Sequence, residues 1–438
     1  MAGRPRLKLH WQILIALVLA VVAGRLSGTG AGLFGVTFYG VYGFLGTLFM
    51  NALKMLIVPL IVSSIITGVA GIGGGQGLGR LGGKTVAYYL TTSLLAILVG
   101  LLFVNLLSPG LIDGHPARAV LGLSSEQAAA AAAKVHGHGA SDLAGIVLSM
   151  VPPNVVAAAA NGQMLGLIFF SILFGYFIAR IEEPYAETLF NFWQAMFQVM
   201  MRITDWVMVF APIGVFALVA KVVAGIQPEE LHALARSLGT FTLTVLLALA
   251  VHALITLPLL LRLVARVNPL RHYRAMAPAL LTAFSTASSS ATLPLTMECV
   301  EKNAGVSNRT TSFVLPLGAT VNMDGTALYE CVAAMFIAQA YGIDLSVGTQ
   351  FTVVLIALLT SIGVAAVPAA SLVAITVILA AIGLPAEAIG LILAVDRILD
   401  MFRTAVNVFS DSCGAVLVAR LEGESGVLAP SAGGAARG

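Results

Sequence analysis

The chain has 438 residues, 59% of them hydrophobic and only 10% charged, a balance that excludes a soluble globular domain. Its formal net charge of +3 is too small for a nucleic-acid partner and fits basic residues gathered on the inner loops of a membrane protein.

Apolar stretches recur along the chain, each near or above the ~20 residues that a helix needs to cross the hydrocarbon core. The start, MAGRPRLKLHWQILIALVLAVVAG, has a basic flank and an apolar core but no small-residue cleavage site, which predicts an uncleaved helix over 11–28 with a cytoplasmic N-terminus. Helices over 38–70 and 82–108 follow, and Lys54 and Pro59 inside the first of these imply tilt or a kink. Between them GLGRLG, residues 77–82, matches the dinucleotide fingerprint by letter, but no βαβ unit surrounds it and it reads as an inter-helix turn. Residues 110–145 form a polar, Ala-rich connector, and His136 and His138 in KVHGHGASD read as a solvated loop without further metal ligands. The other histidines offer little more. Further helices are expected at 162–181, 194–224 and 238–263, and residues 421–438 are expected to be a disordered tail. Cys299, Cys331 and Cys413 lack paired spacing and read as small buried side chains.

From residue 264 the pattern changes. In 276–298 two short apolar arms flank a polar middle, Ser285 to Thr292, and basic residues lie beside both ends, Arg271 and Arg274 before and Lys302 after. The positive-inside rule puts both ends on the cytoplasmic side, so the segment is expected to be a re-entrant hairpin. A second is expected in FTVVLIALLTSIGVAAVPAASLVAITVILAAIG, where Gly363 and Pro368 leave two arms too short to cross. Non-helical backbone at membrane depth survives only against protein or a water-filled cavity, and two such elements suggest two gates around a midplane binding site.

Polar residues converge on the same part of the chain. Pro316, Gly318 and Gly325 bracket Asn322, Asp324 and Thr326, a composition that favours unwinding and half of a hard-cation site. In the last helix Asp396, Asp400, Arg403, Asn407 and Asp411 follow at spacings of four, three, four and four, which confines them to a stripe of roughly 80°. Each charge at a helix centre costs ~2.5 to 3.5 kcal/mol to insert, so Asp324, Asp400, Arg403 and Asp411 cost about 10 kcal/mol before pairing. An Asp400–Arg403 pair leaves two carboxylates unmatched, and a functional stripe facing inward is expected; Asp396, beside Arg397, fits a structural ion pair at least as well. Tyr89, Thr92 and Ser93 put hydroxyls on one face of the third helix, where they could complete a cation site with Asp324.

Taken together, MLIVPL, YYLTTS, ANGQ, APIGVFALVA, SSSATLP, NMDGTALYE, SIGVAAVP and DMFRTAVNV resemble the dicarboxylate/amino acid:cation symporter family, which includes excitatory amino acid transporters and archaeal aspartate transporters. The resemblance implies an all-α integral membrane fold of eight transmembrane helices and two re-entrant helical hairpins with inverted repeats. It further implies a homotrimer in the cell membrane whose scaffold (about 11–70 and 146–225) supports a transport part (about 78–108 and 238–420) moving as an elevator. It assigns the substrate to Ala287, Ser288 and Ser289 at the first tip, to Met323 and Thr326, to Val367, Pro368, Ala369, Ala370 and Ser371 at the second tip, and to Asp400, Arg403, Thr404 and Asn407. One sodium would meet Gly318, Asn322, Asn407 and Asp411; another Thr320, Ser361, Ile362 and Val364, with Met323 nearby; a third Tyr89, Thr92, Ser93, Asn322 and Asp324.

Asp400 suits an ammonium group and Arg403 a carboxylate, which predicts L-glutamate or L-aspartate as the imported substrate. Moving a net anion into a negative-inside cell is opposed by ~2.3 kcal/mol per 100 mV, so co-transported Na+ and/or H+ is expected and no resident cofactor is needed. Ala287 and Met401 stand where relatives often carry a second arginine, so potassium countertransport does not carry over. Glu330 stands where proton-coupled relatives carry an acid and is read as a proton carrier. Ala366, Ala369 and Ser371 replace frequent glycines at the second tip. Alternatives are a C4-dicarboxylate or neutral amino acid symporter and, in another class, an anion channel; an enzyme is not expected because no nucleophile, base and orienting residue stand together outside the cation constellation.

Overall fold

Long runs of Leu, Val, Ile and Ala with few breakers favour helices whose backbone groups bond internally, as a lipid environment requires. A computed structural model describes residues 9–72, 78–117, 148, 151–161, 163–225, 231–361 and 370–428. These described residues are almost wholly helical, and the strands among them are two short antiparallel ribbons, Gly32–Leu33 with Val36–Thr37 and Leu111–Ile112 with His115–Pro116. The helices are α1 Leu9–Ser27, α2 Phe38–Ile72, α3 Leu78–Leu107, α4 Val155–Ala160, α5 Met164–Ile178, α6 Tyr185–Val209, α7 Ala211–Gly225, α8 Leu231–Val251, α9 Leu257–Leu263, α10 Pro269–Thr286, α11 Ser289–Glu298, α12 Asn308–Val321, α13 Asp324–Tyr341, α14 Val347–Ser361, α15 Ala370–Ala381 and α16 Leu393–Leu421. Two helical stretches among the described residues, Arg80–Leu107 and His232–Leu263, are long and apolar enough to cross a membrane. Apolar residues such as Leu102, Leu106, Leu254, Leu259 and Leu281 stand exposed on the outer faces, where lipid is the compatible neighbour.

Three groups of helices can be distinguished by what they bury. In the first, Tyr42, Phe49 and Leu60 of α2 pack with Ile13 and Ala20 of α1, Met200 and Val207 of α6, and Val215 and Ala220 of α7. In the second, α13 is buried on nearly every face, as a central helix must be, and Tyr329 and Phe336 pack against Phe241 of α8. Around it lie α3, α8, α14 and α15, while α10, α11, α12 and the C-terminal half of α16 share a third core near Tyr88 and Tyr89.

Several expectations need correction. The helix expected over 194–224 is two helices, α6 and α7, bent by 53°, because Pro212 at the second position of α7 has no N–H to extend the α6 ladder. The helix expected over 238–263 begins at Leu231 and is interrupted by a π turn, His252–Thr256, just before Pro258. Residues 78–82 of the supposed inter-helix turn already belong to α3, while Gly77 lies outside the described residues. The expected disordered tail starts too early: after α16 the chain folds back through Leu428, whose N–H donates to Ala304 O at 2.9 Å, and Val427 and Leu428 are buried. His136 and His138, with most of the 110–145 connector, lie outside the described residues. The three cysteines are free and buried.

Candidate functional site

The site begins with two interruptions of helical backbone. Asn322 (φ −107°, ψ 85°) and Met323 (φ −114°, ψ 60°) separate α12 from α13, so two half-helices meet end to end inside the protein. Close approach fixes this arrangement, since a Cβ on Gly318 would lie 2.6 Å from Asp411 Oδ1 and 2.8 Å from Tyr89 Oη, and one on Gly325 would lie 2.7 Å from Arg403 O. Only glycine admits helices that near one another. The other interruption lies between α10 and α11, where Ala287 adopts the left-handed conformation (φ 49°, ψ 42°) and the Ser288 hydroxyl accepts from Ala291 N at 3.3 Å to cap α11. A left-handed residue with a Cβ is strained by roughly 1–2 kcal/mol, a cost found mainly at functional turns.

The five members of the α16 stripe, Asp396, Asp400, Arg403, Asn407 and Asp411, are all buried. Asn407 clamps the start of α13: its Oδ1 accepts from Gly325 N at 2.8 Å and its Nδ2 donates to Thr326 Oγ1 at 3.1 Å. Asn322 Nδ2 donates to Asp411 Oδ1 at 2.9 Å and to Ser410 Oγ at 3.1 Å. Asp324 accepts from Ser93 Oγ at 2.7 Å on one oxygen, while the other accepts from Ser410 Oγ at 2.6 Å and lies 3.0 Å from His252 Nε2. Thr92 Oγ1 approaches Asn322 Oδ1 at 3.3 Å, and Tyr89 Oη donates to Val314 O at 2.6 Å. Gly318, Tyr89, Thr92, Ser93, Asn322, Asp324, Asn407 and Asp411 are thereby gathered in one buried, oxygen-rich region.

Toward the N-terminal end of α16 the partners are charged. Arg403 is fully buried, with Nη2 2.9 Å from Asp400 Oδ1 and 3.2 Å from Asp396 Oδ1 and its Cζ 3.8 Å from the centroid of the Tyr329 ring. Arg397 Nη1 donates to Asp400 Oδ2 at 3.1 Å. Arg403 Nε and Nη1 have no hydrogen-bond partner among the described residues. A buried guanidinium retaining free donors can take up an anionic group at little further desolvation cost.

The remaining expected residues are distributed around this centre. Ser289, Met323, Thr326, Ser371 and Thr404 are buried, and Ser371 Oγ has no hydrogen-bond partner among the described residues. Thr320 and Ser361 donate to Leu317 O and Leu358 O within their own helices. Ile362, Val364, Val367, Pro368 and Ala369 lie outside the described residues, as does the side chain of Ala370. Glu330 is fully buried on α13; its Oε2 accepts from Thr360 Oγ1 at 2.9 Å and its Oε1 has no hydrogen-bond partner among the described residues.

Sequence reasoning missed three members of the site. His252 was passed over with the other histidines, yet the π turn puts its ring against Asp324. Its signal was legible as a lone ionisable residue in the apolar run LAVHALITLPLL, six positions before a proline. Ser410 bridges Asp324 and Asn322, and Arg397 joins the carboxylate seam; both lie on the expected stripe's helix, between its named positions.

The chain matches the model of the sodium:dicarboxylate symporter family over residues 9–421. It is 36% identical over 417 residues to the proton/glutamate-aspartate symporter of Escherichia coli K12, covering 95% of this chain and 93% of that protein. Mouse excitatory amino acid transporter 3 is 37% identical over 470 residues, with 95% of this chain and 87% of the relative covered. The proton/sodium-glutamate symport protein of Bacillus caldotenax is 35% identical over 428 residues, 96% of each chain. This all-α membrane protein belongs to the sodium:dicarboxylate symporter family, whose members are transporters and not enzymes.

Proposed function

We propose that the protein is a secondary active symporter that imports acidic amino acids, L-glutamate or L-aspartate, together with Na+ and/or H+. The observation that carries this reading is Arg403, a fully buried cation held on one nitrogen by Asp396 and Asp400, while Nε and Nη1 have no hydrogen-bond partner among the described residues. A side-chain carboxylate satisfies those donors, and the α-ammonium group has Asp400 as its counter-charge. The relatives named for proton/glutamate-aspartate and proton/sodium-glutamate symport support the same substrate class and both coupling ions.

In this reading Ser288 and Ser289, Met323, Thr326, Thr404, Asn407 and Ser371 surround the substrate, and the family resemblance adds 367–370 of the second tip. The cations enter as cargo beside Asp324, Asn322, Asp411 and the hydroxyls of Tyr89, Thr92 and Ser93. These groups suit hard monovalent ions, since all of their ligand atoms are oxygens. Glu330 would carry the proton, because it is fully buried and bonded through one oxygen only among the described residues. The finer architecture, with eight membrane crossings, two re-entrant hairpins, an elevator-like transport part, a homotrimer in the plasma membrane and a cytoplasmic N-terminus, follows the family resemblance. The core that α1, α2, α6 and α7 share, which touches the α13 core through Ile61 and Ile65 of α2, supports a division into scaffold and transport part.

The test is uptake of labelled L-aspartate and L-glutamate by purified protein in liposomes, with an inward sodium gradient and an inward proton gradient imposed separately. Uptake against a substrate gradient under at least one of them is expected. Equilibration with no response to either gradient excludes symport and favours the channel alternative.

A further inference from the structure

Asp400 is the group to which the proposed substrate's ammonium must bind, yet both of its oxygens already have a cation. Arg403 Nη2 sits 2.9 Å from Oδ1 and Arg397 Nη1 sits 3.1 Å from Oδ2. The two arginines are not equivalent. Arg403 is fully buried, stacked on Tyr329 and shared with Asp396, so its position is fixed from three sides. Among the described residues Arg397 has Asp400 as its one ion-pair partner and a buried Nε with no hydrogen-bond partner, and about a tenth of its side chain reaches the surface. Of the two contacts on Asp400, the Arg397 contact is the weaker and the freer to move.

We propose that Arg397 is the resident counter-ion of the substrate site, which holds Asp400 in the empty protein and yields it to the ammonium group of an arriving amino acid. This inference rests on the acidic amino acid reading above and deepens it. An amino acid must displace Arg397 from Oδ2, which lowers its affinity. A dicarboxylate without an amino group leaves the Arg397–Asp400 pair intact, so Asp400 is never left as an unmatched buried charge. Arg397 therefore narrows the difference in affinity between acidic amino acids and amine-free dicarboxylates; it is a specificity-setting residue that acts through Asp400. The sequence pattern alone could not assign this role, because Arg397 lies beside Asp396 in the chain but pairs with Asp400 one turn further on.

The experiment measures, on the full chain in liposomes, the KM for labelled L-aspartate and the inhibition constant of succinate, for the unaltered protein and for Arg397→Met, Arg397→Gln and Arg397→Lys. Removing the charge in the Met and Gln variants is expected to lower the KM for L-aspartate and weaken succinate inhibition, so that the ratio of the two constants moves by about tenfold or more, the scale of one charge-assisted hydrogen bond. The Lys variant, which keeps a cation within reach, is expected to stay close to the unaltered ratio. Loss of affinity for both compounds by the same factor in all three variants identifies a purely structural ion pair and overturns the proposal. So does an unchanged ratio in the Met and Gln variants. If one neutral variant fails to reach the membrane, the other carries the comparison with Lys. Absence of L-aspartate transport by the unaltered protein is a separate result, which overturns the acidic amino acid reading and this inference with it.

Discussion

Within the buried stripe of α16, Asp396, Arg397, Asp400 and Arg403 balance one another, two carboxylates against two guanidinium groups. Three turns further on, Asp411 and its neighbour Asp324 meet no arginine or lysine among the described residues and rest on hydroxyls, the Asn322 amide and His252. The two regions share one helix and one degree of burial, and they solve the cost of buried charge by opposite means. A charge-neutral seam can accept an amino acid with one extra carboxylate. A seam with uncompensated carboxylates demands cations, because an unpaired buried carboxylate costs several kcal/mol. On the proposed reading, this difference is what lets one compact site take an anion together with the cations that travel with it.

The largest effect is expected where the neutral seam loses its fixed cation. Arg403→Ala leaves Asp396 and Asp400 without their shared partner, at a cost of about 3–5 kcal/mol, and uptake of acidic amino acids should fall by roughly a hundredfold or more. Competition assays should then show relative gains for neutral amino acids. Intact acidic uptake in that variant breaks the comparison.

Next in size is Asp324→Asn, which preserves shape and removes one uncompensated charge. Cation affinity, read from the dependence of uptake on sodium or proton concentration, should fall by about tenfold to a hundredfold, with a smaller change in the maximal rate. His252→Ala removes one of the contacts on Asp324 Oδ2 and should shift the same cation dependence by about tenfold or less. An equal loss for Arg403→Ala and Asp324→Asn in both assays would show that the two regions act as one and that the division is wrong.

The smallest effect concerns the segment after α16. Partial burial pushes the Glu424 carboxyl up, but hydrogen bonds from Ser307 and Thr310 outweigh it and hold the group below the usual carboxylate range. Glu422 is also held low, by hydrogen bonds from Lys84 and Arg80. A lowered folded value means that the stabilisation is complete above the unfolded value, about 4.3 for Glu, and is lost as pH falls through the folded one. Limited proteolysis should therefore release the C-terminal segment only below about pH 4, and Glu424→Ala should release it at neutral pH at a stability cost of about 1 kcal/mol.

Much of this was legible in the sequence, because helices in lipid are written in composition and because charge is so costly there that its spacing carries meaning. The α16 stripe and the break at Asn322 and Met323 are both local patterns of that kind. What was not legible depends on three-dimensional neighbours or on small backbone departures. The π turn that aims His252 at Asp324 differs from α-helix by one residue in hydrogen-bond register, a difference that periodicity does not resolve. The bend at Phe210 hid behind the apolar run on either side of it. Arg397 sat next to Asp396 in sequence, and only the helix geometry shows that its partner is Asp400.

The most direct measurement is the equilibrium affinity of purified protein for L-aspartate as sodium concentration and pH are varied independently. Reciprocal coupling requires that cations seated beside Asp324 and Asp411 tighten substrate binding at the neighbouring seam, so affinity should rise steeply with at least one of the two cations and flatten in Asp324→Asn. An affinity that stays constant across both titrations would contradict the account.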